Sequence, residues 1–424
     1  MDEKFLDRIM GEVEGVGKVD LFTGQLWKRW KRLRDEGVVQ PLQLGMFRSD
    51  YMLHAPSDGT PASLKQVEFN TISSSFGTLS QRAAGMHKYL YKSTQYYNAS
   101  GHLKEANFPS NRTTAGLAEG LAEAHKAYGV PNARILFVVQ EGERNVFDQR
   151  WLEYELLETH GIHVVRQSLN QLAHSATVDP STCALCIVPP AGSTGPVEIA
   201  VVYFRAGYTP TDYPTPAHYD TRYLLESSRA IQCPSIQLQL AGGKKVQEVL
   251  TRPGVLEGFL CDASRWGSGV LPQEDVDALR ASWMAMWGLE ENGGVQKAHM
   301  LAQRLVLKPQ REGGGNNVYK EAIPPFLDDL PTKEREAWIA MELIAPPEGL
   351  GNYLVRAGAG TEGAVQADVI SELGIFGWAL FGGKDGEVKE KEVGWLLRTK
   401  GKESNEGGVA AGFSVLDSIL LVDD

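Results

Sequence analysis

The stretch Leu305-Val306-Leu307-Lys308-Pro309-Gln310-Arg311-Glu312-Gly313-Gly314-Gly315-Asn316-Asn317-Val318-Tyr319 places the tightest limit on what this chain can fold into. Leu305, Val306 and Leu307 read as a buried strand, and Pro309 ends its pairing. The consecutive glycines then let the backbone fold over a ligand with its N–H groups turned inward. The side chains around them suit a phosphate. Lys308 and Arg311 can neutralise phosphate oxygens, Glu312 is a hard oxygen ligand for a divalent cation, and Asn316 and Asn317 can donate to or accept from a nucleotide. No Gly-Lys-Ser/Thr closes the loop, so it is not a Walker A loop. Three glycines alone read more plainly as a surface connector; the strand lysine before them and the acid beside them point instead to a phosphate cover.

A chain of 424 residues exceeds one ordinary core, so two or three packed units are expected. Hydrophobic content of 42% and charged content of 22% are those of a globular protein. The formal net charge of -11 argues against a general nucleic-acid binder, so an anionic substrate has to be drawn in by a local cluster of Lys and Arg. Four cysteines give no disulfide framework, which implies a reducing compartment, and a cytoplasmic location is expected. Cys183 and Cys186 form a C-x-x-C with no second pair or nearby histidine to complete a zinc site, and are expected to be buried core thiols. No apolar run approaches the ~20 residues of a membrane span, and the N-terminus lacks an apolar signal core.

From Asp2 to about Arg34 the pattern predicts helices, with Leu26, Trp30 and Leu33 on one face. The run Trp27 to Arg32 mixes aromatic and basic residues and reads as a solvated helix face rather than a surface for an anionic partner. From Ser63 to Ile72, alternation sets Lys65, Val67, Phe69 and Thr71 on one side of a strand and Glu68 with Asn70 on the other, where two oxygen-bearing side chains could grip one cation. Ser73, Ser74 and Ser75 follow as a turn suited to a carboxylate. Ile135 to Val139, a helix carrying Phe147, Trp151 and Tyr154 on a face widened by Leu152 and Leu156, the stop at Gly161, His163 to Val165, and Ala200 to Phe204 predict a parallel α/β unit. Ligands of such units sit beyond the C-terminal ends of the strands, which here are Glu143-Arg144-Asn145 and Arg205-Ala206-Gly207-Tyr208. Ala173 to Gly195 reads as a peripheral loop. Gln239 to Gln247 leads into a helix on which Lys244 and Lys245 could be plain solvated charges, and a further helical stretch is expected around Asp275 to Trp287. Trp338 to Ile344 reads as a strand, Ala357 to Gly363 as a flexible connector, and Gly382-Gly383 with Asp385-Gly386 as a hairpin. Near the C-terminus Arg398 and Lys400 share a strand face ahead of the small residues Gly407 to Gly412.

LKPQREGGGNN resembles the glycine-rich loop of eukaryotic glutathione synthetases, and further strings follow in that family's order: RSDYM, VEFNTISSSFG, ERNVFDQR, VVYFRAGY, QLAGGKKVQ, SELGIFG, LLRTK and GGVAAG. The resemblance covers nearly the whole chain. It implies an α+β fold: an ATP-grasp body of antiparallel sheets and helices, with an inserted parallel α/β substrate-binding domain and mobile glycine-rich lid loops. The expected division is 1–132, 133–240 and 241–424. The implied reaction joins γ-glutamylcysteine to glycine with ATP through an acyl phosphate, giving glutathione, ADP and phosphate. About two Mg²⁺ per active site are implied, with a homodimer and neither nucleic acid nor membrane as partner.

By the same resemblance Glu68, Asn70 and Glu312 hold Mg²⁺. Lys244, Lys308, Gly313, Gly314, Gly315, Asn316, Asn317, Tyr319, Met341, Ile344, Glu372, Lys400 and Glu406 serve the nucleotide. Arg48, Ser73, Ser74, Ser75, Glu143, Arg144, Asn145, Gln149, Arg205, Tyr208 and Arg398 meet the dipeptide or product, and Val409, Ala410 and Ala411 the amino-acid acceptor. Arg398, Lys308 and Lys400 are the expected catalytic cations. At Ala206 and Glu406 other members carry different residues, and the family begins upstream of Met1, so a lead-in segment is expected to be missing. The alternatives are a homoglutathione-type ligase using another amino acid, and a non-catalytic nucleotide- or thiol-binding homologue.

Overall fold

The computed structural model describes residues 3–12, 15–94, 99–189, 195–312, 315–350, 352–355, 365–383, 386–402, 404, 409, 412 and 414–423. The chain forms two compact units, each assembled from separate stretches: a glycine-loop unit of residues 1–28, 50–69 and 239–350, and a large-sheet unit of residues 29–49, 70–238 and 351–424. The strands Gln43–His54 and Ser63–Asn70 pair with each other, and each carries the chain from one unit into the other.

In the glycine-loop unit, four antiparallel strands lie in the order Val318–Tyr319, Leu305–Pro309, Trp338–Glu342, Met286–Gly288. The strand Leu305–Pro309 is central, which accounts for its unbroken apolar character, since both its faces are covered. Leu305 and Leu307 pack with Ala340, Trp287 and Leu289, and with Ile323 and Leu327 of the helix Ile323–Asp329. The strand predicted from Trp338 stops at Glu342, so Ile344 lies just beyond it. The helix expected around 275–287 spans Gln273–Ala281, and Trp287 belongs to a strand instead.

The large-sheet unit carries a mixed sheet in the order Val415–Asp417, Lys389–Gly401, Val369–Phe381, Gln43–His54, Ile231–Cys233, Val197–Phe204, Arg134–Val138, Val164–Gln167. The strands from Arg134–Val138 to Ile231–Cys233 run parallel, as their continuous apolar sequences require. Through the single parallel register Gln43↔Gln232 they join the C-terminal strands, which pair antiparallel with one another. The expected boundaries at 132/133 and 240/241 therefore differ from the spatial division: the α/β stretch shares one sheet and one apolar core with residues 29–49 and the C-terminus. Ile135, Phe137, Val201 and Tyr203 pack there with Leu117, Leu121, Phe376 and Trp378.

Helix Leu21–Glu36 buries Leu26, Trp30 and Leu33, as their spacing predicts. Gly161 ends the helix Val146–His160 with φ 68. That helix is turned differently from expectation: it buries Asp148, Gln149, Leu152 and Leu156 and exposes Phe147, Trp151 and Tyr154. Two buried polar side chains claim the inner face, so the aromatic ones rotate outward. The stretch read as a peripheral loop is partly ordered, with the helix Leu169–Ser175 and the antiparallel strands Ala176–Val178 and Leu185–Ile187. Cys183 and Cys186 are free thiols there, half-buried rather than in the core, because in the short strand Leu185 and Ile187 take the buried positions. The hairpin at Gly382 joins Val369–Phe381 to Lys389–Gly401; φ is 95 at Gly382, and a Cβ would stand 2.2 Å from the Pro41 carbonyl oxygen, so glycine is required. The expected connector at Ala357 to Gly363 lies outside the described residues.

Candidate active site

In the glycine-loop unit the strand Leu305–Pro309 delivers Lys308, and the chain turns past it to Glu312. Helix Lys244–Thr251 begins at Lys244. Its ammonium is buried and lies 3.0 Å from a Glu68 carboxylate oxygen and 3.2 Å from one of Glu312. Burial alone would push Lys244 down, but the two carboxylates outweigh it and hold the group well above its ordinary value. Burial pushes the Glu312 carboxyl up, the Lys244 ammonium opposes this, and the Glu68 charge adds to it. Lys308, also buried, donates to the Val67 carbonyl oxygen at 2.9 Å. Residues distant in sequence thus bring two hard carboxylates onto one buried cation, with a second lysine beside the same strand Ser63–Asn70.

Neither Lys244 nor Lys245 is a solvated charge, since both are buried. Lys245 pairs with Glu248 at 2.8 Å and with Glu290, which makes it structural. Gln310, which no spacing rule singles out, joins the parts. Its Oε1 accepts from the Lys245 backbone N–H at 3.1 Å, and its Nε2 donates to the Ala337 carbonyl oxygen at 3.2 Å. The helix start has no cap from Gly243, so Gln310 supplies an acceptor from across the unit. Arg311 pairs with Asp20, so its charge is engaged inside the protein rather than left for a phosphate. Asn317 donates to the Tyr319 hydroxyl at 3.2 Å, Asn316 is exposed, Gly315 has φ 74, and the Met341 side chain is buried in the unit. Gly313 and Gly314 lie outside the described residues.

In the large-sheet unit the Ser73–Ser75 turn is held from several sides. Arg48 donates to the Ser75 carbonyl oxygen at 3.2 Å and Arg205 to that of Ser74 at 3.1 Å, while the Ser73 hydroxyl donates to the Phe204 carbonyl oxygen at 3.0 Å. Asn70 donates to the Arg48 carbonyl oxygen at 3.2 Å. The Ser74 hydroxyl is buried and has no partner among the described residues, a group suited to a ligand. Asp148, buried inside the string ERNVFDQR, is a residue that the sequence pattern does not mark. It accepts from the backbone N–H groups of Phe76, Thr78 and Leu79 and pairs with Arg205 at 3.3 Å. It thus caps the helix Gly77–Ser93 from a distance, a role that no local spacing carries.

The ends of two parallel strands bring up the remaining groups. Glu143 accepts from the Asn145 N–H at 2.7 Å and from Gln149 Nε2 at 3.1 Å, while Arg144 is exposed. Arg205 and Tyr208 follow the strand Val197–Phe204. Arg398 and Glu372 face each other across the antiparallel pair and form an ion pair, so two residues expected to serve different substrates neutralise one another here. Lys400 lies opposite Ile370 on the same ladder. Val409 is half-buried against the core of this unit; Glu406, Ala410 and Ala411 lie outside the described residues.

One unit built on an antiparallel sheet bearing Lys308 and another on a mixed sheet with helices make an α+β fold of the ATP-grasp-like kind, the class of ATP-dependent ligases. Residues 1–421 match the family model for the eukaryotic glutathione synthase ATP-binding domain. The chain is 43% identical over 406 residues to the glutathione synthetase of Homo sapiens, covering 95% of this chain and 79% of that one. It is 37% identical over 425 residues to the chloroplastic glutathione synthetase of Arabidopsis thaliana, covering 100% and 72%. A solved structure of a glutathione synthetase-like effector from Globodera pallida in its apo form shares the fold, with a TM-score of 0.70 at 23% identity over 100% of this chain and 88% of that one. The chain belongs to the eukaryotic glutathione synthetase family.

Proposed function

We propose that this chain is a glutathione synthetase, ligating γ-glutamylcysteine to glycine at the expense of ATP. The observation that carries the reading is the convergence of Glu68 and Glu312 on buried Lys244, with Lys308 on the adjoining strand. A carboxylate does not accept an amine while its leaving group is oxide. The cysteinyl carboxylate oxygen therefore attacks the γ-phosphorus of ATP, ADP departs, and the amine of glycine attacks the acyl carbon of the resulting acyl phosphate as phosphate leaves. Two anions must meet in the first step, so neutralising charge and excluding water are the main tasks.

Lys244 and Lys308 are assigned the phosphate charge, with Lys400 as a further cation. Glu68 and Glu312 offer hard oxygen donors that fit Mg²⁺, with Asn70 at the alternate position of the same strand. The ion, when bound, neutralises phosphate oxygens. Arg48, the Ser73–Ser75 turn, Glu143, Gln149, Arg205 and Tyr208 serve the dipeptide, whose carboxylates and amine call for this mixture of cations, hydroxyls and an acid. Water reaching the acyl phosphate would turn the enzyme into an ATPase, and the glycine-rich segments are read as lids that prevent this.

The test is phosphate release and product formation with ATP and Mg²⁺, with and without γ-glutamylcysteine and glycine. Release that needs the dipeptide, with glutathione formed in equal amount, is expected; release indifferent to it, or nucleotide binding with no turnover, overturns the reading. Competition between glycine and β-alanine checks the acceptor, for which glycine is expected to be preferred.

A further inference from the structure

A carboxylate with no assigned role organises the loop that bears Arg205 and Tyr208. After the strand Val197–Phe204 the chain turns and enters the short 3-10 helix Pro210–Asp212. Asp212 Oδ2 accepts from the backbone N–H groups of Gly207 at 2.9 Å, Tyr208 at 3.1 Å and Thr209 at 3.2 Å, and from the Thr209 hydroxyl at 3.2 Å. Its other oxygen accepts from Gln140 Nε2 at 2.8 Å. Gln140, just past the strand Arg134–Val138, in turn accepts from the Tyr208 hydroxyl at 3.4 Å.

The direction of this relay follows from chemistry. An ionised carboxylate only accepts, so Gln140 must turn its NH₂ toward Asp212 and its oxygen toward the phenol. Burial, aided by the Asp212 charge, pushes the Tyr208 phenol up, so it stays protonated and able to donate. One carboxylate therefore sets both the backbone of the loop and the orientation of the side chain at its tip.

We propose that Asp212 is a positioning residue for γ-glutamylcysteine, fixing the loop through three backbone amides and the Tyr208 phenol through Gln140. The proposal rests on the reading that Arg205 and Tyr208 meet the dipeptide. Asp212→Ala removes both arms. Asp212→Asn keeps the size, but with its oxygen on the amides its NH₂ faces Gln140; the Gln140 amide must then turn over, and the phenol loses its acceptor.

The experiment measures kcat, the KM values for γ-glutamylcysteine and for ATP, and the melting temperature of the full-length chain carrying Asp212→Ala, Asp212→Asn, Tyr208→Phe, or Asp212→Asn with Tyr208→Phe. Loss of a charge-assisted hydrogen bond corresponds to about tenfold in affinity. Asp212→Ala is expected to raise the KM for γ-glutamylcysteine by about that factor, with the KM for ATP within about twofold of wild type. Asp212→Asn should raise it less, and adding Tyr208→Phe to it should cost little more than Tyr208→Phe alone. If Tyr208→Phe raises this KM but neither Asp212 variant does, or if both KM values rise together, Asp212 does not position the dipeptide. If Tyr208→Phe leaves the KM unchanged, the assignment of Tyr208 fails and the proposal falls with it. Should Asp212→Ala fail to fold, Asp212→Asn decides between these outcomes by the same criteria.

Discussion

The charge arrangement around Lys244 shows how single residues are selected. A buried ammonium is costly unless paired, and Glu68 with Glu312 supplies the pairing. Glu312→Gln keeps the size and removes one of the charges. If Glu312 holds Mg²⁺ as proposed, ligation is expected to fall by roughly 10²-fold or more, with the melt still cooperative, because a charged oxygen donor to the ion that neutralises phosphate is lost. Near-normal turnover at saturating Mg²⁺ would remove Glu312 from the site. Gly382 is constrained by space and backbone alone. Gly382→Val would combine φ 95 with a contact to the Pro41 carbonyl, and should destabilise the fold by about 2–3 kcal/mol in urea unfolding. An unshifted unfolding midpoint would show that the hairpin relaxes freely.

Elements in this molecule are held at their ends by side chains from far along the chain. The N-terminus of helix Gly77–Ser93 depends on Asp148, and that of helix Lys244–Thr251 on Gln310. Gln310→Leu would leave the Lys245 N–H and the Ala337 carbonyl buried without this partner, at a cost of about 1–3 kcal/mol. Because that helix carries Lys244, the KM for ATP should rise as well, whereas the KM for γ-glutamylcysteine should not. Steady-state kinetics and denaturant unfolding check both, and a loss of stability with no change in the KM for ATP would leave Gln310 a purely structural tie.

Each unit has its own apolar core: that of the large sheet gathers residues from Leu44 to Leu396, whereas that of the glycine-loop unit lies within the stretch from Trp287 to Ala340. Leu307→Ala, in an inner strand of the glycine-loop unit, should cost about 2–5 kcal/mol, and Phe137→Ala, fully buried in the core of the large-sheet unit, about 3–5 kcal/mol. Denaturant unfolding of the two variants tests this; losses under about 1 kcal/mol would mean that the sites collapse around the deletion. No helix among the described residues is long and apolar enough to cross a membrane.

Local sequence determined what local physics controls. Unbroken apolar runs at 135–139, 200–204 and 305–307 marked the strands that form at 134–138, 197–204 and 305–309. Alternation put Glu68 and Asn70 two residues apart on one strand, and glycine stopped the helix at 161. The motif strings identified the family, because an ordered set of unusual short strings survives without any knowledge of contacts. Tertiary structure alone decided three further things. Helix Val146–His160 turned its aromatics outward because Asp148 and Gln149 had partners inside, and periodicity cannot weigh a buried hydrogen bond against an apolar face. Lys244 and Lys245, neighbours in sequence, both became buried cations with different partners, because the carboxylates that reach them come from residues 68 and 312 for one and from 248 and 290 for the other. Asp212 and Gln310 gained their roles through contacts whose geometry exists only once distant strands have paired.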